Sequence, residues 1–481
     1  MAESRQLKLY NSLTRAIEPL STHRDFFGFY CCGPTVYGRA HIGNFRAFIC
    51  ADLLVRTLKA FDYPVRFVRN ITDVDDKTIR GAQQEKIPLA EFTRKHEQSF
   101  QSDCKALSLL PPDVEPRAAE KTHIDEMIRL VGRLIAAKHA YIADDGSVYY
   151  RIDSFKNYGC LCHLDREGLR AGERVAQDEY EKKSLADFVL WKKHRPEDGD
   201  VRWDSPWGPG RPGWHVECSA MSMKYLGESY ELHGGGIDLL FPHHENEIAQ
   251  SEGATGKPFV KHWWHVAHLL VDGRKMSKSL GNLYTLEDVR KMGFAPNFRG
   301  EMNQLRYALM STHYRESMNF TKDGLSAAAS AIQRLQNFYT RLKYAADDGS
   351  VLGSLPREQT GAVLLEKFYA ALENDLNVSA ALGELFISVA EINRLIDRRK
   401  LSAQDAKGWI EVLGRIDDVL KVGITDLEDI SLSEIQGLIS QRDEARAGKD
   451  WAESDRIRKD LEDRGFVVKD TPTGTKIEQR R

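Results

Sequence analysis

Residues 27 to 32, Phe-Gly-Phe-Tyr-Cys-Cys, form an unbroken apolar run ended by Gly33-Pro34, the pattern of a buried strand stopped by a turn. From His41 the segment HIGNFRAFICADLLVRTLKAFDY carries apolar residues at helical spacing, and PVRFVRNI then returns to aromatic and β-branched residues. This strand, helix, strand succession predicts a parallel α/β sheet, whose ligands bind beyond the carboxyl ends of the strands. The stretch 115–205 mixes a helical segment (HIDEMIRLVGRLIAAKH) with short strand candidates (SVYYRI, DFVLWKK) and reads as an insertion between a first half at 20–114 and a second at 206–290, where YELHGGGIDLL and HVAHLLV resume the sheet pattern. After a linker at 291–320, periodic apolar positions predict a helical bundle over 321–425. A charged helix and a polar tail complete the chain over 426–481.

A chain of 481 residues with 42% apolar and 29% charged content can bury a large core and divides into two to four domains. The formal net charge of −3 gives no global attraction to a polyanion, so any nucleic-acid surface has to be local. No apolar stretch reaches the roughly 18 residues that span a bilayer, and the first residues lack a signal peptide, so the expectation is a cytoplasmic protein with no membrane contact. Seven cysteines, an odd number, then point to reduced thiols used for metal binding or catalysis.

Candidate chemistry falls in four strings. In Lys275-Met-Ser-Lys-Ser279 two lysines, Lys275 and Lys278, stand three apart and can face a polyphosphate together; K-x-x-K by itself describes a solvated basic loop. His41-Ile-Gly-Asn44 opens the first helix, where Gly43 permits close approach of a nucleotide, His41 can donate to a phosphate oxygen, and Asn44 supplies an amide that cannot become cationic. Gly234-Gly-Gly-Ile-Asp238 offers Gly235 and Gly236 as a flat surface for adenosine and Asp238 as an acceptor for ribose hydroxyls, or it is simply a turn.

The fourth group is dispersed: Cys32, Cys218, His243 and Glu247, the last two one helical turn apart. Two thiolates, an imidazole and a carboxylate make a tetrahedral zinc set that can still accept an incoming ligand. Sequence alone does not bring the two cysteines together, and Cys31, His215, Glu217, His244 and Glu245 stand as neighbouring alternatives. Cys160-Leu-Cys162-His163 lacks a second ligand pair at finger-like distance and is expected to be packed or exposed rather than metal-bound.

Taken in order, CGPTVY, HIGN, NITDVDDK, GERV, DFVLWK, RPGWHVECSAM, HGGGIDLLFPHHENEIAQS, KMSKSLGN, STHYR and DWAESDRIRKDL resemble the cysteinyl-tRNA synthetases, class I aminoacyl-tRNA synthetases, over almost the whole chain. The resemblance implies a Rossmann-like catalytic domain split by a connective insertion, a stem-contact linker, a tRNA-binding helical bundle and a small C-terminal anticodon-binding region. It implies that Cys32, Cys218, His243 and Glu247 hold one zinc ion per subunit, that Gly33, Thr72 and Trp214 form the pocket for substrate cysteine, and that His41, Asn44, Lys275 and Lys278 act on the phosphates of MgATP. It also implies L-cysteine and a tRNA with a GCA anticodon as substrates, acylation at the 2′-hydroxyl, a monomer, and no editing domain. Trp451 beside Arg456, Arg458 and Lys459 then either stacks on an unpaired base or packs against the bundle. Two rivals remain: a cysteine ligase of the mycothiol pathway, which would not need the tail, and a non-catalytic tRNA-binding paralogue, which should have lost His41, a KMSKS lysine or a zinc ligand.

Overall fold

The computed structural model describes residues 5–163, 187–276, 280–292, 301–347, 355–425, 432–463, 466–471 and 474–479. The chain divides into two units, the first of residues up to Lys291 with Leu309–Thr321 and Ala371–Ser379, the second of Met292–Ala308, Lys322–Ala370 and Ala380–Arg481.

The first unit is organised by a four-stranded parallel sheet: β1 Phe27–Cys31, β2 Val65–Arg69, β3 Tyr230–Gly236 and β4 Val260–Val266. Their order is β4-β3-β1-β2, with Phe29 paired to Phe67 on one side and Leu232 on the other. All five residues of β1 are buried, as its unbroken apolar run requires of a strand covered on both faces. Helix α1, Ile42–Ala60, connects β1 to β2, whereas β3 enters on the opposite side of β1 after the long insertion. The gap between the carboxyl ends of β1 and β3 is therefore a topological switch point, where an open α/β sheet binds its ligands.

The insertion contains the helix Lys121–Ala136 and the strands Ala140–Ile142, Val148–Tyr150 and Phe188–Lys193, which form an antiparallel sheet completed from beyond residue 205 by Gly210–Pro212, in sequence order. Helix α2, Trp214–Leu226, and helix α3, Glu245–Thr255, flank β3 in sequence and carry the later site residues. Within α1, Arg46 is fully buried and its guanidinium donates to the carbonyls of Leu309, His313 and Glu316, so no donor pair is lost to burial.

In the second unit the helices Lys322–Asp347 and Ala403–Leu420 pack as a bundle, with Ile332, Leu335 and Phe338 buried on one and Trp409, Leu413 and Ile416 on the other. The predicted tail adds the helices Leu432–Ala447 and Trp451–Asp463 and a hairpin, Phe466–Thr471 with Gly474–Gln479, over a small core of Ile457, Leu461, Phe466 and Val468. Trp451 is 59% exposed, so the expectation of a tryptophan packed in the bundle is corrected: it opens its helix, ahead of the turns whose apolar residues are buried.

Candidate active site and metal centre

His41 is the N-cap of α1. Its Nδ1 accepts from the Asn44 backbone N–H at 3.3 Å, while the Asn44 side-chain oxygen accepts from the His41 N–H at 3.1 Å, a reciprocal cap. With Nδ1 accepting, the ring proton of the neutral imidazole resides on Nε2, which remains available as a donor. Burial lowers the His41 pKa against the opposing pull of Asp238, favouring that neutral form. The cap engages the Asn44 carbonyl oxygen and leaves the amide NH2 for a ligand.

His41, Gly43, Asn44, Gly236, Asp238 and Lys275 line one cavity of about 240 Å³. The structure thus brings the HIGN string, the end of the glycine run and the first lysine of KMSKS together. At Gly43 a Cβ would lie 2.2 Å from the Met276 methyl, so any side chain here would have to push that flexible methionine aside. Lys275 ends a tight hairpin, Leu269–Val271 with Arg274–Lys275, whose turn residues Asp272 and Gly273 both take positive φ, at 48° and 75°. Beyond it the chain is tied back to α1: the Ile42 N–H donates to the Tyr284 carbonyl at 2.8 Å. Lys278 lies outside the described residues.

The donor atoms of Cys32, Cys218, His243 and Glu247 lie within 4.8 Å of one another, all buried. Cys32 follows β1 and hydrogen-bonds through its N–H to the Gly234 carbonyl across the switch point. Cys218 comes from α2, its sulfur 3.8 Å from that of Cys32. His243 Nε2 is 3.0 Å from Glu247 Oε1, the contact expected of residues one turn apart. Burial pushes Cys32 and Glu247 well above their ordinary values, while donation from the Cys32 thiol brings Cys218 down to about 7. Three acids ionised in this dry volume need a cation among them, and two sulfurs, an imidazole and a carboxylate are the donors of a zinc centre. The residues present therefore fit the metal.

Beside this centre runs a hydrogen-bond relay. The Gly33 N–H donates to Asn70 Oδ1 at 2.9 Å, Asn70 Nδ2 donates to Thr72 Oγ1 at 3.1 Å, and the Thr72 hydroxyl donates to Glu217 Oε2 at 3.0 Å. A Cβ on Gly33 would stand 1.6 Å from the Asn70 carbonyl oxygen. Trp214 opens α2 and lies against the His243 ring, with centroids 4.3 Å apart. Gly33, Thr72, Trp214 and the metal set are thus held in one contiguous network.

The neighbouring alternatives separate by what each side chain faces. Glu217 is engaged by Thr72, and Glu245 accepts the backbone N–H groups of Gly159, Leu161 and Cys162. The Cys160 and Cys162 thiols point at the same Glu245 carboxylate and join no metal group among the described residues. Cys31, the other thiol of its pair, is buried, its pKa pushed up to about 12 by burial, and takes no part in either donor group. His215 Nδ1 lies 3.0 Å from His243 Nδ1. His244 joins His233, Cys32 and Glu247 in a second group of four buried donors. Sequence reasoning missed Asn70 and His233; the only signal for His233 was its place just before the glycine run.

Residues 19–330 match the family model described as tRNA synthetases class I (C) catalytic domain, 367–425 a DALR domain, and 433–477 a cysteinyl-tRNA ligase anticodon binding domain. The chain is 44% identical to a cysteine–tRNA ligase of Chlamydia muridarum, with 98% of this chain and 99% of the relative covered. It is 43% identical to that of Chlamydia felis (99% and 98%) and 44% identical to that of Protochlamydia amoebophila (98% and 98%). Among solved structures, Mycobacterium tuberculosis methionyl-tRNA synthetase in complex with methionyl-adenylate superposes with a TM-score of 0.62 at 16% identity, covering 85% of this chain and 95% of that one. A ternary LeuRS–tRNA–LeuAMS complex from Agrobacterium radiobacter K84 gives a TM-score of 0.60 at 12% identity, covering 85% of each chain. These two likenesses concern the fold.

Proposed function

The chain belongs to the cysteine–tRNA ligases, class I aminoacyl-tRNA synthetases, and from that membership we propose the following division of labour in its site. The substrate carboxylate attacks the α-phosphate of MgATP, pyrophosphate leaves, and cysteinyl-adenylate forms. His41 donates from Nε2 to a phosphate oxygen and the Asn44 amide donates beside it. Lys275 and Lys278 offset the charge that builds on the phosphates, while Asp238 accepts from the ribose hydroxyls. Magnesium enters with the nucleotide. The terminal ribose 2′-hydroxyl of the tRNA then attacks the acyl carbon and releases AMP.

Cys32, Cys218, His243 and Glu247 hold zinc, one per subunit. When bound, zinc supplies a soft Lewis acid that takes a substrate thiolate far better than the alcohol of serine, a discrimination beyond the roughly 1–3 kcal/mol that an apolar pocket draws from one methylene. Gly33, Thr72 and Trp214 orient the amino acid beside it. With both oxygen partners fixed by the relay, Thr72 keeps one lone pair and can only accept from the substrate, which matches an ammonium N–H rather than a carboxylate. A GCA-anticodon tRNA is read by the C-terminal region, where exposed Trp451 offers a stacking face. The enzyme works as a cytoplasmic monomer; no helix among the described residues is long and apolar enough to cross a membrane.

The observation that carries this reading is the convergence of four buried donors, from the residue after β1, from α2, and from α3 and the turn that leads into it, at the same switch point as the nucleotide cavity. Charging total tRNA with labelled cysteine or labelled serine tests it: cysteine alone should be attached, to the GCA-anticodon tRNA, and chelation of zinc should abolish the preference. Adenylate formation without charging would instead favour a small-molecule cysteine ligase, against which the match over 433–477 counts.

A further inference from the structure

We infer that the metal centre is built for two overlapping cation positions, the second formed by His233 and His244 and bridged to the first through Cys32 and Glu247. The proposal rests on the assignment of Cys32, Cys218, His243 and Glu247 as the resident zinc site.

Among the described residues two groups of four buried donors occur, and each has its donor atoms within 4.8 Å of one another. They share Cys32 and Glu247. Cys218 and His243 belong to the first alone, His233 and His244 to the second alone. The Cys32 sulfur stands between them, 3.8 Å from the Cys218 sulfur, 3.5 Å from His233 Nε2 and 3.4 Å from His244 Nε2. Glu247 divides its carboxylate in the same way, with Oε1 3.0 Å from His243 Nε2 and Oε2 3.6 Å from His233 Nε2. Oε2 is fully buried and has no hydrogen-bond partner. An orphaned carboxylate oxygen aimed at an imidazole nitrogen is an unfilled ligand position.

Both histidines are held from behind as metal ligands are. Tyr230 Oη lies 2.6 Å from His233 Nδ1. His244 Nδ1 lies 2.8 Å from His265 Nε2, whose Nδ1 is in turn 2.8 Å from Ser12 Oγ. Such outer partners fix each ring with Nε2 facing inward. A bridging thiolate and a bridging carboxylate are the usual links of a two-metal site, which sets its ions about 3.5–4 Å apart. Charge permits both states: two thiolates and one carboxylate carry three negative charges, so one divalent ion leaves a net negative charge and two leave a net positive one. The second position takes a borderline-soft divalent cation such as zinc, binds it more weakly than the first, and draws on the Cys32 sulfur that also holds the first ion, the one proposed to receive the substrate thiolate. Excess zinc therefore competes with cysteine.

The test is titration of the metal-stripped full-length protein with Zn2+ alone, counting bound metal by native mass spectrometry and following Co2+ substitution by its visible absorption. Wild type should take two equivalents. Cys218→Ser should lose the tighter one. His244→Gln and His233→Gln should keep the tighter one and weaken the second by at least the roughly 10–100-fold that loss of an outer partner costs. Zn2+ inhibition of cysteine-dependent pyrophosphate exchange should be competitive with cysteine and weaken in parallel. One equivalent only in wild type, or a second that neither histidine variant weakens, overturns the inference. If that single equivalent survives Cys218→Ser but not His244→Gln, the resident-site assignment fails with it. Should both histidine variants misfold by circular dichroism, Tyr230→Phe, which removes only the hydroxyl behind His233, decides through the same weakening or its absence.

Discussion

Replacing Thr72 with valine keeps the side-chain volume and removes the central member of the relay between Asn70 and Glu217. Asn70 is 1% exposed and Glu217 is fully buried, so neither partner can turn to water. Glu217 Oε1 already lacks a hydrogen-bond partner, and without the Thr72 hydroxyl at 3.0 Å its other oxygen loses one as well. Asn70 Nδ2 loses its acceptor at 3.1 Å. Leaving a buried polar group unsatisfied costs about 1–3 kcal/mol, so two such groups should lower stability by at least about 2 kcal/mol. Thr72→Ser keeps both bonds and forfeits one methyl, about 0.8 kcal/mol. The assay is urea unfolding of both variants beside wild type, with the Michaelis constant for cysteine measured in pyrophosphate exchange. Valine should displace the unfolding midpoint by more than twice the serine effect and raise the constant for cysteine, while the constant for ATP stays near wild type. Equal damage from serine and valine would refute the reasoning, because the methyl and not the hydroxyl would then be the important group.

Two glycines should respond differently to alanine. At Gly33 the new methyl meets the Asn70 backbone oxygen at 1.6 Å, which cannot move aside, so Gly33→Ala should fail to fold or melt well below wild type. At Gly43 it meets the end of a flexible Met276, so Gly43→Ala should melt normally and bind ATP more weakly in equilibrium dialysis. Lys278→Ala should lower the rate of adenylate formation by roughly 10²–10³, as removal of one stabilising donor does elsewhere, with cysteine binding unchanged in rapid-quench kinetics. Asp73 is pushed up to about 6, chiefly by burial, with Glu97 adding to the shift and the Ala119 N–H and Arg117 opposing it. Its folded-state value thus lies above the ordinary one of about 3.9, so its favourable contribution is complete below that pH and is lost as pH rises through about 6. Asp73→Asn, which can still accept from the Ala119 N–H, should therefore stabilise the protein at pH 7 but not at pH 4 in thermal melts; equal gains at both would exclude the shift.

The β1–α1–β2 succession was readable because a strand covered on both faces has no polar positions and a helix facing a sheet keeps its spacing. His243 and Glu247 were readable as a pair for the same local reason, although the chain kinks just ahead of them, where Phe241 takes extended dihedrals at φ −139° and ψ 135°. The two cysteines were not, because their meeting depends on α2 packing against β1 across 186 residues of chain, a contact recorded in no local spacing. The alternatives show where proximity along the chain misleads. Glu245 sits beside His244 and two residues from Glu247, yet on the helix it points away, into the amides of the 159–162 loop, and the Cys160 and Cys162 thiols turn to the same carboxylate. Glu217 adjoins Cys218 but faces Thr72, since successive residues of a helix diverge by about 100°. His233 was unreadable for the opposite reason. A single histidine between Leu232 and Gly234 has no helical or alternating partner, and its role appears only when parallel pairing sets it against Tyr30, next to the cysteines that end β1. What a switch point assembles is distributed among segments that pattern reading treats separately, so local periodicity identifies the donors on one helix and leaves the second position, shared through Cys32 and Glu247, to be found by geometry alone.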